Sequence, residues 1–222
     1  MIYDILAICI VVIFVPSMTL LGYKFYKGKT DRVLFLALTL SLFGVELIRF
    51  FTNATTYPLA EMPSNELTFA FISFATTMAV FATFANNKVG RFFTKIVILV
   101  PFVALIQGIV YPEILNLPND NFAMMKAMYM LEVGLLFAIS LAFSLIRKVQ
   151  VKPLDLVYGA AIVIGYAGIN ALTIYFFEYH YTYDLRWWLT MVGIVVSVGL
   201  GYLMNLTCTI INKRILQKEE SV

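Results

Sequence analysis

Apolar residues run through this chain in long, nearly unbroken stretches separated by short polar connections, and charged residues gather in those connections. A helix of about 20 mostly apolar residues covers the roughly 30 Å of hydrocarbon in a bilayer at a rise of 1.5 Å per residue. Seven windows of that kind fit, at about 2–23, 33–53, 66–86, 92–112, 123–146, 154–177 and 187–211. The runs are continuous instead of alternating with period two, which selects helices over a membrane barrel. The expectation is an all-α, polytopic transmembrane bundle of seven helices forming a single domain over residues 1–222.

Composition agrees with that pattern. Of 222 residues 61% are hydrophobic and 13% charged, with a mean hydropathy of +0.88. A soluble domain is closer to half apolar and a quarter charged. The first run does not read as a cleavable signal, because its basic residues follow it instead of preceding it and its apolar part is too long.

The distribution of charge sets an orientation. Lys24, Lys27, Lys29 and Arg32 follow the first run, and Lys88, Arg91 and Lys95 lie between the third and fourth. Arg147, Lys148 and Lys152 follow the fifth, and Lys213, Arg214 and Lys218 end the chain. All fall on one side of a seven-span bundle, the cytoplasmic side by the positive-inside rule. The N-terminus is then outside and the C-terminus cytoplasmic. The opposite connections carry Glu61, Glu66, Glu113, Asp120, Glu178 and Asp184. The net charge of +3 therefore suits the anionic inner membrane surface and calls for no nucleic acid.

Against this background "FGVELIRFF", Phe43 to Phe51, sets Glu46 and Arg49 inside an apolar run. Charges there are costly, about 2.5–3.5 kcal/mol each even on lenient insertion scales, so they are paired and often functional. Glu46, Arg49 and Asn53 are spaced i, i+3, i+7 and share one helix face. Glu46 stands about seven residues, or ~10 Å, from the outer end of its run. Counting in from the other ends brings Glu132, with Lys126 and Tyr129 on the same stripe, to a similar depth. Gln107 and Asn170, the latter in line with Tyr166 and Thr173, fall at that level too. The expectation is an outward-facing polar pocket lined by Glu46, Arg49, Gln107, Lys126, Tyr129, Glu132 and Asn170. Arg49 or Lys126 would meet an anionic head group. The competing expectation is purely architectural, a Glu46–Arg49 clamp and a second Glu132–Lys126 clamp that fix helix register.

Other features carry less chemistry. Cys9 and Cys208 sit in apolar runs at opposite depths and read as small buried residues, neither disulfide nor metal ligands. One histidine, His180 in an aromatic interfacial stretch, supplies no zinc site. No Gly-rich phosphate loop, serine-hydrolase elbow or retinal-binding lysine in the last run is present, and no cofactor is expected. Gly193, Ser197 and Gly201 at four-residue spacing let another backbone approach. The Asn-x-Thr triplets at Asn53 and Asn205 abut or lie within a run and are unremarkable. Neither an internal repeat nor a broken-helix signal is read.

Three strings, "NELTFAFISF", "MYMLEVGLLFAI" and "YAGINALTIYFFEYHY", together resemble the YwaF-type bacterial integral-membrane proteins. That family is distantly similar to the androgen-induced-gene-type membrane hydrolases and to a phospholipid acyltransferase. The resemblance implies a nucleophilic threonine in a Leu-Thr-Phe string, which matches Thr68, and a catalytic histidine whose position matches Glu132. A carboxylate in place of histidine must be tuned by burial to act as a base. Three functions follow as expectations. The first is binding of a small or lipid-like ligand in the outer pocket. The second is a membrane hydrolase or acyltransferase acting on lipid acyl esters, with Thr68 and Glu132 as catalytic residues. The third is a transporter or substrate-binding transport subunit. The expected partner is membrane lipid, and the expected location is a cell membrane, bacterial plasma membrane by the resemblance.

Overall fold

The computed structural model describes residues 2–25, 31–56, 71–85, 87–110, 122–176 and 187–220. Its ordered elements are all helical: α1 (Ile2–Phe25), α2 (Asp31–Thr56), α3 (Phe71–Phe84), α4 (Lys88–Leu99), α5 (Pro101–Val110), α6 (Phe122–Leu145), α7 (Pro153–Phe176) and α8 (Trp187–Glu220). Among the described residues, five stretches are long and apolar enough to cross a membrane: Leu6–Lys24, Asp31–Thr52, Lys88–Gly108, Lys126–Leu145 and Met191–Ile215. Phe71–Phe84 and Pro153–Ile169 are shorter apolar helices.

These helices are apolar on both their buried and their exposed sides. Leu6, Ile10, Ile13, Phe14, Met18 and Leu21 of α1 all face outward, as do Val192, Val195, Val196, Leu203, Leu206 and Ile210 of α8. Contiguous apolar surface on that scale does not suit water and is compatible with an integral membrane protein. Cys9 lies on the exposed side of α1 and only Cys208 is buried, which corrects the expectation that both are buried; both thiols are free. In an all-apolar run, composition cannot distinguish a lipid-facing position from a core one.

Helix α6 is the centre of the bundle, packing against α1, α2, α3, α4, α5 and α8. From Tyr129 to Ser144 nearly every residue is buried. Phe143 near its end stacks on Phe35 of α2 with ring centroids 4.5 Å apart. The guanidinium of Arg147 sits 4.1 Å from the Phe35 ring centroid and donates to Asp31 at 3.4 Å. Three residues beyond the end of α6, Lys148 has a φ of 52°, in the left-handed region. The chain then folds back so that Val151 N donates to Asn205 Oδ1 on α8 at 2.9 Å.

The fourth apolar run is two helices, not one. Pro101 has no N–H to donate to Val97 O, and its ring crowds the preceding turn, so α4 stops at Leu99 and α5 restarts at Pro101. This corrects the expectation of an unbroken helix; Pro101 was the signal in the sequence. Ser140 of α6 covers the interruption, its Oγ 3.0 Å from Ile98 O and 3.3 Å from Val97 O. A neighbouring hydroxyl thus satisfies carbonyls that would otherwise be orphaned in an apolar medium. Gly201 of α8 closes the other side: a Cβ there would stand 2.4 Å from Leu99 O, whereas Gly193 has nothing within 4 Å of that position. Of the two glycines in the small-residue stripe, Gly201 serves a close backbone approach and Gly193 does not.

Candidate functional site

Helices α2, α3 and α6 bring four polar side chains together in the apolar interior. Arg49 is at their centre: its Nε donates to Glu132 Oε1 at 3.1 Å, and one terminal nitrogen donates to Glu46 Oε2 at 2.8 Å and to Ser73 Oγ at 3.0 Å. The Ser73 hydroxyl in turn donates to Glu46 Oε1 at 2.5 Å. Arg49 is 4% exposed and Glu132 0% exposed. The i, i+3 spacing places Glu46 and Arg49 on one face of α2, and that face meets α6 and α3.

The fork of a guanidinium fits two carboxylates well, because its N–H groups are coplanar and fixed in direction. One cation is here shared by two anions. Arg49 is therefore already engaged, and an anionic head group would have to displace a carboxylate to reach it. The ion pair of Glu132 runs to Arg49, so the anticipated division into separate Glu46–Arg49 and Glu132–Lys126 clamps is replaced by one three-helix cluster.

The remaining expected residues divide in three. Tyr129 lies one turn before Glu132 on α6, and its hydroxyl donates to Ala104 O on α5 at 2.6 Å. Gly108 makes room for that ring, since a Cβ there would meet Tyr129 at 2.8 Å. Lys126 is half-buried on the same stripe of α6. Gln107 stands on the face of α5 that carries Ala104 and Gly108. Asn170 falls on α7, but its side chain, like that of Asn53, lies outside the described residues, and Thr68 lies outside them altogether. Nearby on α7, Tyr166 stacks on Phe74 of α3 at 4.5 Å and meets Phe71 edge-on at 5.8 Å.

Sequence reasoning missed Ser73 and Thr76. Most hydroxyls in these helices bond their own preceding turn, as Thr19, Thr77, Thr94, Ser144, Thr207 and Thr209 do. Ser73 instead joins the arginine cluster. Thr76, one turn further along α3 and 2% exposed, has no hydrogen-bond partner for Oγ1 among the described residues. The same holds for Glu132 Oε2 and Gln107 Oε1. No sequence signal distinguishes Ser73 or Thr76 from Thr77.

A second polar cluster lies at the other end of the bundle, and among the described residues it leaves no buried side-chain polar atom without a partner. Asn205 accepts from Val151 N and donates to Ser144 Oγ and Val149 O, each at 2.9 Å. Asn212 adds a bond to Ser144 O at 3.1 Å, and Lys95 pairs with Asp155 at 2.9 Å. These contacts tie α8 to the end of α6 and to the α6–α7 connection, and α4 to the start of α7, and they read as structural.

Among the described residues no group of three or more His, Cys, Asp or Glu could hold a metal ion. No family model, curated protein or solved structure matches the chain.

Proposed function

We propose that this chain is a seven-span membrane protein, N-terminus outside and C-terminus cytoplasmic, that binds a small or lipid-like ligand at the Glu46–Arg49–Ser73–Glu132 cluster. One observation carries the reading. Glu132 is buried in the most enclosed helix of the bundle, yet one of its two oxygens has no partner among the described residues. A cluster that served only to fix register has no use for a carboxylate oxygen left over in an apolar interior, where an unmet polar group costs several kcal/mol.

The basic residues support the orientation. Lys95, Arg147 and Lys152 belong to the end of the bundle held by Asn205 and Asp155, and the Arg49 cluster belongs to the opposite half. The positive-inside rule makes the first end cytoplasmic and the second outer. The break at Pro101 does not favour the transport reading, since Ser140 and Gly201 seal it on two sides instead of leaving its carbonyls toward a cavity.

Native mass spectrometry with lipid extraction tests the proposal on gently purified wild type, Glu132→Gln and Arg49→Leu proteins. A co-purifying small molecule or amphiphile present in the wild type and lost from both variants is the expected outcome. Three equally stable proteins without any retained molecule would remove the ligand and leave an architectural clamp.

A further inference from the structure

We infer that Glu46, Arg49 and Glu132 form a proton-binding site in the interior of the bundle: the two carboxyl groups hold one proton between them, carried on Glu132 Oε2. The inference goes beyond ligand binding and stands whether or not a ligand is bound.

Sharing of the cation is the first reason. One guanidinium bonds both carboxyl groups, Glu132 through Nε at 3.1 Å and Glu46 through a terminal nitrogen at 2.8 Å. With both groups ionised the three side chains would carry one unbalanced negative charge, and one proton removes it. An apolar interior penalises that charge far more than a neutral acid. Carboxyl groups crowded together share a proton for the same reason.

The hydrogen bonds place the proton. Both oxygens of Glu46 accept, Oε2 from Arg49 and Oε1 from Ser73, whose own oxygen is taken by Arg49 so that its hydroxyl proton serves Glu46. Glu132 accepts one bond, at Oε1, and its Oε2 has no partner among the described residues. Glu132 is 0% exposed, whereas the Glu46 side chain is 17% exposed. The better bonded and less enclosed group keeps the charge.

The neighbouring charges do not replace the proton. Lys126 stands six residues before Glu132 on α6, about 9 Å along the axis, and a helical side chain leans toward the N-terminus of its own helix, here away from Glu132. It is half-buried, whereas Glu132 is enclosed. Among the described residues, the other cations of the helices packed on α6 are Lys24 of α1, Arg32 of α2, Lys88, Arg91 and Lys95 of α4, and Lys213 and Arg214 of α8. They belong to the opposite end of the bundle, where Lys95 meets Asp155 and Arg147 meets Asp31. α3 and α5 carry no titratable side chain, and Tyr129 of α6, Cys9 and Tyr23 of α1 and Tyr202 and Cys208 of α8 supply no positive charge.

Infrared spectroscopy of the purified protein at neutral pH, in a detergent without ester groups, makes the test. The wild type is expected to show the carbonyl stretch of one protonated glutamic acid per chain, displaced by carbon-13 glutamate and by exchange into deuterium oxide. Glu132→Gln should lose the band. Glu46→Gln should lose it too, although Glu132 is intact, because Arg49 then faces a single carboxylate and Glu132 ionises. Lys126→Met should keep the band, and Ser73→Ala should keep it at the same frequency. A wild type without the band overturns the inference, and a band gained only in Lys126→Met would name Lys126 as the compensating cation. A band that survives in Glu46→Gln overturns it as well, since burial alone would then hold the proton. A displaced band in Ser73→Ala would put the proton on Glu46 and overturn its assignment to Glu132. Circular dichroism checks the fold of each variant, and the wild-type spectrum is decisive where a variant does not fold.

Discussion

Arg49 on α2 donates its Nε to Glu132 on α6 at 3.1 Å, across 83 positions of sequence. The same guanidinium holds Glu46 and Ser73, so one residue ties three helices at the core of an otherwise apolar bundle. Removing it leaves two carboxylates facing one another without a cation. Arg49→Leu should therefore cost about 3–5 kcal/mol of stability, the usual penalty for breaking a buried pair from one side. The triple variant Glu46→Gln, Arg49→Leu, Glu132→Gln removes the charges together and should recover more than half of that loss. Thermal unfolding of the two proteins in detergent makes the comparison, and a triple variant less stable than Arg49→Leu contradicts it.

Asn205 makes three hydrogen bonds that close the α6–α7 connection onto α8. Asn205→Leu leaves Val151 N and Val149 O without that partner and should destabilise by about 2 kcal/mol, at a net value below 1 kcal/mol per bond in an apolar medium. The measurement is the unfolding midpoint, with proteolysis within 146–152 as a local readout. Unchanged protection of that connection would show that the tether is dispensable.

Gly201 and Gly193 form a paired test of close packing. A methyl group at Gly201 would be driven against Leu99 O at 2.4 Å, backbone that cannot rotate away, while Gly193 has open space. Gly201→Ala should lower Tm by several degrees, in line with an overpacking cost of about 1–3 kcal/mol. Gly193→Ala should leave it unchanged or raise it slightly, since alanine favours a helix over glycine. Equal effects at both sites would mean that α8 does not lie on the α4–α5 break.

The proposed topology predicts the labelling of introduced cysteines in a protein whose Cys9 and Cys208 have first been replaced by serine. Lys88→Cys, Lys152→Cys and Lys218→Cys should react with a membrane-impermeant maleimide only after the membrane is opened. Asn116→Cys should react in intact cells. Labelling of Lys218→Cys from outside would require either an even number of spans or an inverted bundle, and would exclude the proposed topology.

Part of the Glu46–Arg49–Ser73–Glu132 cluster was legible in the sequence, for a particular reason. An acid and a base three residues apart in an apolar helix must share a face, and no water is available to hold them apart, so Glu46–Arg49 followed from spacing alone. That Glu132 belongs to the same layer followed from counting along the rise of the helix. Which cation it meets did not, because depth says nothing about rotation about the helix axis. Arg49 and Lys126 were equivalent by depth, and helix packing chose Arg49.

The long apolar runs alone determine that the chain is helical and suited to a membrane, since a backbone without water must satisfy its hydrogen bonds within each segment. Tertiary structure decided how those helices meet. It made α6 the centre, turned Ser73 away from its own preceding turn and into the arginine cluster, placed Ser140 over the carbonyls released by Pro101, and left Glu132 Oε2 without a partner among the described residues. In runs where nearly every position is apolar there is no polar face to mark a helix's orientation, so shape complementarity and a few hydrogen bonds set the rotation, and those exist only once the helices are packed.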